Sequence, residues 1–282
     1  MSDEFARAFQ ILTGHMPMRW QRRLYRRLTA GDVPSMLDLP TGLGKTSVMA
    51  IWLIARVHGA PLPRRLVYVV DRRAVVDQAT EEAGKLRASA EAALGLDSLA
   101  ISTLRGQFVD NREWLADPAT LAIVIGTVDM VGSRLLFSGY GVSRKMRPYH
   151  AGLLGADTLI VLDEAHLVPP FAHLLRAVEI DPSFRPAAES GRRLVPGFVF
   201  LPLSATQRES EPEDQESKTP ESPPSGGAAF GLEDEDRADP TVAERLGARK
   251  RLRLCPLAAK DPDRQLAEAA WELATKDGKF SR

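Results

Sequence analysis

Six short apolar runs, separated by segments of helical periodicity, constrain the fold of this chain more than any other feature. The runs lie at 35–39, 64–70, 98–103, 120–126, 157–165 and 196–205. Most are apolar at successive positions, which is typical of strands buried on both faces. Strands that alternate with helices in this way form a parallel sheet. The sequence therefore predicts an α/β fold whose mostly parallel sheet is covered by helices on both faces.

The segments between the runs predict the helices. Helical periodicity is found at 19–28, 44–57, 73–94, 128–137 and 171–180. In the first helix, Trp20, Leu24 and Leu28 share one face, and arginines between Arg19 and Arg27 share another. We interpret this arginine cluster as a solvated helix face rather than a patch for nucleic acid.

The overall charge is balanced, with 37 basic and 37 acidic residues among 282. Any surface that binds nucleic acid must therefore be local. The single cysteine, Cys255, excludes an internal disulfide framework and a multi-cysteine zinc site. No apolar run reaches the length of a membrane span, and the polar N-terminus is unlike a signal peptide. We expect a cytoplasmic protein with no membrane partner.

The character of the sequence changes at Arg208. Residues 208–240 contain eleven acidic residues, three basic residues and five prolines, a composition typical of disordered segments. Beyond them, 248–257 predicts a strand and 263–276 a helix, which are too little for a domain. We expect a first lobe at 1–207, a disordered acidic linker at 208–240 and the beginning of a second lobe at 241–282.

The stretch PTGLGKT, at 40–46, joins the first run to its helix. It matches the shorter form of the phosphate-binding loop that helicases use, since Leu39 stands where the full pattern has glycine. Backbone N–H groups of the turn would face phosphate oxygens, Lys45 would contact the β- and γ-phosphates, and Thr46 would bind Mg²⁺. The alternative is a glycine-rich helix start with an exposed lysine. The candidate residues for ATP binding here are Thr41, Gly42, Gly44, Lys45 and Thr46.

The stretch IVLDEAH, at 160–166, brings two acidic residues to the end of an apolar strand. Ligands bind at the carboxyl ends of strands in open parallel sheets. Asp163 would hold Mg²⁺ through water, and Glu164 would orient and deprotonate the attacking water. The alternative is an acidic helix cap. A cap does not explain the glycine-rich loop about 120 residues upstream, so the two stretches together predict a site for ATP hydrolysis.

Two weaker signals accompany these stretches. LSAT, at 203–206, also follows an apolar strand, and Ser204 and Thr206, together with His166, could relay the state of the phosphate to the rest of the protein. By itself LSAT is equally a polar turn. Gln21 could pair with the N6/N7 edge of adenine. The alternative for Gln21 is an exposed helical side chain.

Candidate contacts to nucleic acid lie after three further strands. Hydroxyls, arginines and helix N-termini at the carboxyl edge of a parallel sheet suit phosphate-backbone contact. The alternative is that each loop simply caps its own helix. The candidates are Arg72, Thr103, Arg105 and Thr127.

The phosphate-binding loop, DEAH and LSAT together resemble the first RecA-like lobe of superfamily 2 helicases, a P-loop NTPase fold. The stretches VYVVDRRAVVDQ (67–78), STLRGQ (102–107) and GTVDMVGSRLLFSGYGVS (126–143) are similar to the CRISPR-associated helicase–nuclease of type I interference systems, closest to the I-U (I-G) branch. The resemblance covers 15–207 well and 230–282 loosely.

This resemblance implies ATP- and Mg²⁺-dependent translocation along single-stranded DNA. The DNA would be the strand displaced by a crRNA-guided surveillance complex that recruits the helicase. The family's HD nuclease domain is not expected here, because the chain contains no His-Asp dipeptide. The arginine finger of the second lobe is also not expected. The chain would thus be a fragment that binds ATP–Mg²⁺ weakly, hydrolyses it poorly and does not unwind DNA.

Two other functions remain open. One is a different superfamily 2 motor, such as a restriction-enzyme translocase or an RNA helicase. The other is a non-catalytic remnant that binds nucleotide, nucleic acid or a partner without turnover.

Overall fold

The computed structural model describes residues 2–105, 108–109, 111–184, 197–205, 228–248 and 261–275. The chain divides into two compact units, Met1–Leu246 and Gly247–Arg282. The second unit is described only in part, and its described part contains one long helix.

The first unit is built on a seven-stranded sheet with the order β1-β7-β6-β2-β5-β3-β4. Every neighbouring pair is parallel except β3 and β4. The α/β prediction is therefore confirmed, and all six predicted runs contain a strand. The strands are β1 (Leu37–Asp38), β2 (Arg65–Val70), β3 (Ala100–Arg105), β4 (Phe108–Val109), β5 (Ala122–Thr127), β6 (Thr158–Leu162) and β7 (Phe198–Ser204).

Helices cover both faces of this sheet. The five helices predicted before Arg208 are present as α2, α3, α4, α6 and α8, with boundaries shifted by a few residues. The helices are α1 (Ser2–Thr13), α2 (Arg19–Thr29), α3 (Val48–Val57), α4 (Arg73–Leu94), α5 (Glu113–Ala116), α6 (Val128–Leu135), α7 (Arg147–Gly155), α8 (Pro169–Ile180), α9 (Asp234–Arg237), α10 (Pro240–Gly247) and α11 (Pro262–Thr275).

The sheet separates two hydrophobic cores. In β2, Leu66, Tyr68 and Val70 face the core under α1–α4, whereas Val67 and Val69 face the core under α5–α8. Successive side chains of a strand point to opposite faces, so a strand covered on both faces must be apolar throughout. All six residues of β2 are buried. This double burial explains the continuous apolar runs of the sequence.

Helix α1 was not predicted from the sequence. Phe5 and Phe9 are almost fully buried, and the Phe5 ring stacks on Tyr25 of α2 with a centroid distance of 4.1 Å. The acidic residues of its first turn stabilise the N-terminus of the helix. The helix is therefore held by a buried apolar face, which includes the aromatic contact to α2.

The segment 228–246 differs from the predicted linker and is called the return segment below. The 208–240 linker prediction is corrected over 228–240, because Phe230 is 1% exposed and lies in the core of the first unit. Backbone hydrogen bonds join Phe230 to Met36 and to Asp38, both at 2.8 Å, along the edge of β1. The remainder of the predicted linker, 208–227, and the strand predicted at 248–257, from Arg249 onward, lie outside the described residues.

The arginine face of α2 is not simply solvated, which corrects a second prediction. Arg23 lies 2.8 Å from Glu233 and 2.5 Å from Asp236, both in the return segment. Its guanidinium also stacks 3.9 Å from the centroid of the Phe230 ring. Arg27 donates to the backbone carbonyl of Ala228. Two arginines of the cluster therefore contact the return segment, and Arg23 pairs with its acidic residues.

The helix of the second unit matches the prediction at 263–276 within one residue at each end. In α11, Arg264 and Glu268, which are one helical turn apart, form an ion pair with 2.9 Å between Arg264 Nε and Glu268 Oε1. Leu266 and Trp271 are more than 60% exposed. No helix among the described residues is long and apolar enough to cross a membrane.

Candidate nucleotide site

The order of the strands brings the three sequence motifs together. β7, which ends in LSAT, lies between β1, which precedes the phosphate-binding loop, and β6, which precedes the acidic pair. Asp38 is in register with Ser204, and Leu162 is in register with Pro202. Because all three strands are parallel, their carboxyl ends lie at one edge of the sheet. The loops that follow them form one candidate site.

The glycine-rich loop follows β1 and leads through a short 3₁₀ helix, Lys45–Ser47, into α3. Gly42 and Gly44 have φ angles of +85° and +75°. These left-handed conformations are costly for residues with a Cβ atom, which explains the two glycines. Leu43, between them, is fully buried and anchors the loop to the core. The loop is therefore fixed at its centre and turns sharply on either side.

Lys45 and Glu164 form an ion pair across the site. Lys45 Nζ lies 2.8 Å from Glu164 Oε1, although the two residues are 119 positions apart. Lys45 is only 8% exposed, which contradicts the alternative of an exposed lysine after a flexible turn. Glu164 has a φ of +47°, a strained conformation for a residue other than glycine. Such strain at a group that faces a buried cation is typical of functional sites.

Asp163 and Thr46 both face the hydroxyl of Tyr68, which is buried in the centre of β2. Among the described residues, no protein group meets this hydroxyl with the geometry of a full hydrogen bond. Burial, together with the nearby Asp163 carboxylate, raises the pKa of Tyr68 well above its ordinary value, so Tyr68 stays neutral. Tyr68 was missed by the sequence analysis. The signal available was a hydroxyl within an otherwise apolar buried run.

Burial raises the pKa of Asp163, and the neighbouring Glu164 raises it further, whereas Tyr68 and Lys45 act in the opposite direction. Burial likewise raises the pKa of Asp38 at the end of β1, partly offset by Lys45. One carboxylate oxygen of Asp38 is buried without a hydrogen bond from any described residue. The site thus contains buried carboxylates that the nearby positive charge does not balance. A bound divalent cation would provide the missing positive charge.

We expect Asp163→Asn to stabilise the nucleotide-free fold at neutral pH. A raised pKa means that the folded state disfavours the carboxylate relative to the unfolded chain. The stability is therefore greatest below the unfolded pKa, about 4, and decreases as the pH rises through the folded value. An asparagine at position 163 does not ionise, so the variant does not lose this stability as the pH rises. Thermal melts between pH 4 and 8 should show a higher Tm for the variant at pH 7 and a difference that narrows toward pH 4. Equal melting temperatures at pH 7 would contradict this.

Gln21 is buried and hydrogen-bonded, which contradicts the alternative of an exposed helical side chain. Its Oε1 accepts from the Met18 backbone N–H at 2.8 Å, and its Nε2 donates to Ser47 Oγ at 2.8 Å. The amide therefore caps its own helix and contacts the end of the phosphate-binding loop. One acceptor site on the oxygen and one N–H of the amide remain for a ligand.

A cavity of about 280 Å³ opens beside Gln21. Its walls combine the phosphate-binding loop with side chains of α1 and α4, and α4 contributes charged residues as well as Leu86. The methionine, phenylalanine and leucine side chains in this mixed lining suit one face of a flat aromatic ligand. Its lining includes Phe9, Met16, Met18, Gln21, Gly44 and Thr46.

The residues predicted to relay the phosphate state lie at the same edge. His166 Nδ1 is 3.4 Å from Glu164 Oε2. Ser204 is buried at the end of β7, and its backbone carbonyl accepts a 3.0 Å hydrogen bond from Leu39 N–H, one residue before the phosphate-binding loop. Thr206 lies outside the described residues. A direct backbone connection therefore joins LSAT to the loop.

The structure separates the four candidate contacts to nucleic acid. Arg72 is 77% exposed after β2, and Arg105 is 41% exposed at the end of β3, where it pairs with Asp77. Thr103, in contrast, is 3% exposed within β3, and its hydroxyl contacts Thr80. Its prediction as a surface contact is wrong, because it lies inside the strand rather than after it.

Thr127 has the structural role that the sequence analysis left as an alternative. It is 6% exposed, and its hydroxyl accepts from the Met130 backbone N–H at 3.4 Å, capping α6. Ser, Thr, Asn and Asp are the residues that most often cap helices in this way. Thr127 therefore caps α6, and its contact to DNA stays a prediction.

Comparison of the sequence with known families found a match over residues 15–187 to the family described as type III restriction enzyme, res subunit. The chain belongs to this family. The match contains the phosphate-binding loop and the acidic pair, which the structure places against each other. No protein in a comparison with curated sequences matches the chain.

Two solved structures of the helicase MrfA have a similar fold. The first superposes with a TM-score of 0.55 and 14% sequence identity, covering 98% of this chain and 41% of MrfA. The second, bound to DNA and AMPPNP, has a TM-score of 0.52 and 15% identity, with 83% and 30% covered. The chain spans less than half of the length of MrfA. These similarities show that the chain shares its α/β fold with part of the helicase MrfA.

The side chains near Lys45 suit a nucleoside triphosphate bound together with Mg²⁺. Within the described ranges, no group of three or more His, Cys, Asp and Glu side chains could hold a metal ion alone. Mg²⁺ is usually bound by one or two carboxylates or hydroxyls together with phosphate oxygens and waters. Asp163 and Thr46, which both lie beside Tyr68, would be the carboxylate and hydroxyl ligands that the protein provides to Mg²⁺.

Proposed function

We propose that this chain is the ATP–Mg²⁺-binding lobe of a motor that uses ATP hydrolysis to move along nucleic acid, and that the chain alone hydrolyses ATP slowly. The single observation that carries this proposal is the ion pair between Lys45 and Glu164. A phosphate-binding lysine and the general base predicted from an unrelated part of the sequence meet at 2.8 Å. Membership in the restriction-enzyme res family and the helicase-like fold support the proposal.

The geometry suggests a role for each side chain. Lys45 Nζ would exchange the Glu164 carboxylate for β- and γ-phosphate oxygens. Glu164, released from the lysine, would orient a water molecule and accept its proton. Thr46 and Asp163 would hold Mg²⁺, which neutralises charge on the phosphates when bound. Because Asp163 is destabilised by burial beside Glu164, the ion would also relieve the unfavourable electrostatics described above.

The cavity beside Gln21 is proposed as the site of the adenine base. It adjoins Gly44 and Thr46, so a base in the cavity would place its phosphates on the loop. The remaining N–H and lone pair of the Gln21 amide match the N7 acceptor and N6 donor of adenine. Ser47 fixes the orientation of this amide.

Single-stranded DNA is the proposed track, and Arg72, Arg105 and Thr127 are the candidates for contact to its phosphates. All three lie at the carboxyl edge of the sheet that also carries the nucleotide site. The finer resemblance to CRISPR-associated type I helicases supports a displaced DNA strand as substrate and recruitment by a crRNA-guided surveillance complex. We further propose that residues 247–282 belong to a second RecA-like lobe.

Two other functions are alternatives to this proposal. The matched family favours a restriction-enzyme translocase, which is a different superfamily 2 motor. A binding module without turnover is the second. Fluorescence anisotropy with single-stranded DNA, duplex DNA and single-stranded RNA, each with and without AMPPNP, separates them. A motor on single-stranded DNA should prefer that polymer and change its affinity with nucleotide. Equal affinities with and without AMPPNP would favour the binding module.

We expect Arg72→Ala to reduce the salt dependence of DNA binding. Each phosphate contact adds about 0.7 to the slope of log affinity against log salt for single strands. The slope should therefore fall by about 0.7 in anisotropy titrations across a range of salt concentrations. Arg87→Ala is the matched control, because Arg87 is on the adjoining helix α4, roughly 20 Å along its axis from Arg72. An unchanged slope for Arg72→Ala would remove this residue from the DNA contact.

A further inference from the structure

The return segment does more than close the edge of the sheet, because it brings a cation to the phosphate-binding loop. Two anchors fix its position. At its beginning, Phe230 hydrogen-bonds to the backbone on both sides of Leu37 and stacks under Arg23. At α9, Asp236 is 3% exposed and accepts hydrogen bonds from Arg23 and from the Glu233 backbone N–H.

A third anchor lies in α10. Val242 is fully buried in the same core as Leu43 of the phosphate-binding loop. One turn further along α10, Arg245 lies beside the loop. Its Nη1 donates a 2.7 Å hydrogen bond to the backbone carbonyl of Gly42. Arg245 also lines the cavity that contains Gln21 and Thr46.

This contact controls the direction of the loop's peptide groups. A peptide unit is planar and trans, so its carbonyl and its N–H point in opposite directions. Holding the Gly42 carbonyl toward Arg245 therefore directs the Leu43 N–H away from Arg245. Gly42 has a positive φ, and no described atom lies within 4 Å of the place where its Cβ would be. Arg245 thus restrains the orientation of the peptide group that precedes the buried Leu43.

We propose that Arg245 is a nucleotide-positioning residue, supplied to the ATP site by the return segment. It fixes the phosphate-binding loop in its binding conformation and places a positive charge at the rim of the cavity. This inference rests on the proposed function, because it assigns a further residue to the same site. It also gives the return segment a role, since movement of this segment would change the affinity for ATP.

The test compares Arg245→Ala, Arg245→Lys and the matched control Arg237→Ala. Arg237 is an exposed arginine in α9 of the same segment. Binding of a fluorescent ATP analogue with Mg²⁺ should weaken about tenfold in Arg245→Ala, as expected for one charge-assisted hydrogen bond. Arg245→Lys should recover part of the lost affinity, and Arg237→Ala should bind the ATP analogue like the wild type.

The melting temperature without nucleotide should be the same for the wild type and the three variants, because Arg245 is exposed. In steady-state hydrolysis, Arg245→Ala should raise KM and leave kcat nearly unchanged.

The possible results are distinguishable. Equal ATP affinity in Arg245→Ala and wild type, with binding lost in Lys45→Ala, would overturn this inference and leave the proposed function intact. Tighter binding in Arg245→Ala would also overturn it, because the contact would then oppose nucleotide entry. Absence of ATP binding by the wild type would overturn both the proposed function and this inference.

Discussion

Glu164→Gln should reduce the rate of ATP hydrolysis by about 10²–10⁴, the usual contribution of a general base. The same substitution should increase the affinity for ATP several-fold. In the nucleotide-free protein, Lys45 is held at 2.8 Å by the Glu164 carboxylate, which phosphate must displace. Glutamine removes both that competing charge and its repulsion of phosphate. Slower hydrolysis with tighter binding is a combination that general loss of structure cannot produce.

Glu113→Gln is the control, because Glu113 lies in α5, away from the nucleotide site, where it pairs with Arg87. It should change neither the rate nor the affinity. Single-turnover hydrolysis and equilibrium titration with a fluorescent ATP analogue measure the two quantities separately. A Glu164→Gln protein that hydrolyses ATP at the wild-type rate would exclude Glu164 as the base. A fall in both rate and affinity would mean that the carboxylate positions the loop instead.

Lys45→Ala should weaken ATP binding by about 100-fold or more. Lys45 Nζ provides several charge-assisted hydrogen bonds to phosphate, each worth about 1.5–3 kcal/mol, and every 1.4 kcal/mol is a factor of about ten in affinity. The increase in melting temperature that ATP–Mg²⁺ confers on the wild type should disappear in the variant. Titration with a fluorescent ATP analogue and thermal melts with and without ATP measure these effects.

Lys145→Ala is the matched control for Lys45→Ala, since Lys145 is exposed in the loop between α6 and α7. It should bind ATP like the wild type. Lys45→Ala also leaves Glu164 without its partner, which should lower the stability without nucleotide. The double variant Lys45→Ala/Glu164→Gln removes both charges and should recover that stability without recovering affinity. Wild-type affinity in Lys45→Ala would reject the phosphate-binding role.

Much of this site could be predicted from the sequence, because parallel strands place their following loops at one edge. The glycine-rich loop and Asp163–Glu164 were assigned to one site on that ground, and they meet in the structure. The order of the strands was not predictable, since strand pairing between distant parts of a chain leaves no local pattern. The surroundings of Thr103 and Thr127 could not be predicted either. A hydroxyl near the end of a strand has the same sequence context whether it faces solvent, contacts a neighbouring helix or caps the helix that follows.

The return segment could not be predicted from composition. Its many acidic residues resemble those of disordered chains, and few residues, such as Phe230, Leu232 and Val242, indicate burial. Glu233 and Asp236 are stable there because Arg23, on a helix about 200 residues earlier, is their counter-charge. In the sequence alone, the arginine face of α2 and the acidic return segment each indicate a surface exposed to solvent. The interaction becomes evident only when the fold brings the two charges together.

We expect ATP hydrolysis by this chain to be slow and to be coupled to nucleic acid. The first measurement is the steady-state rate of ATP hydrolysis with and without single-stranded DNA, with Glu164→Gln as the background. The slow wild-type rate should increase when single-stranded DNA is added, and it should fall to the background in the variant. ATP binding with no hydrolysis above that background, with or without DNA, would contradict this coupling and favour a binding module.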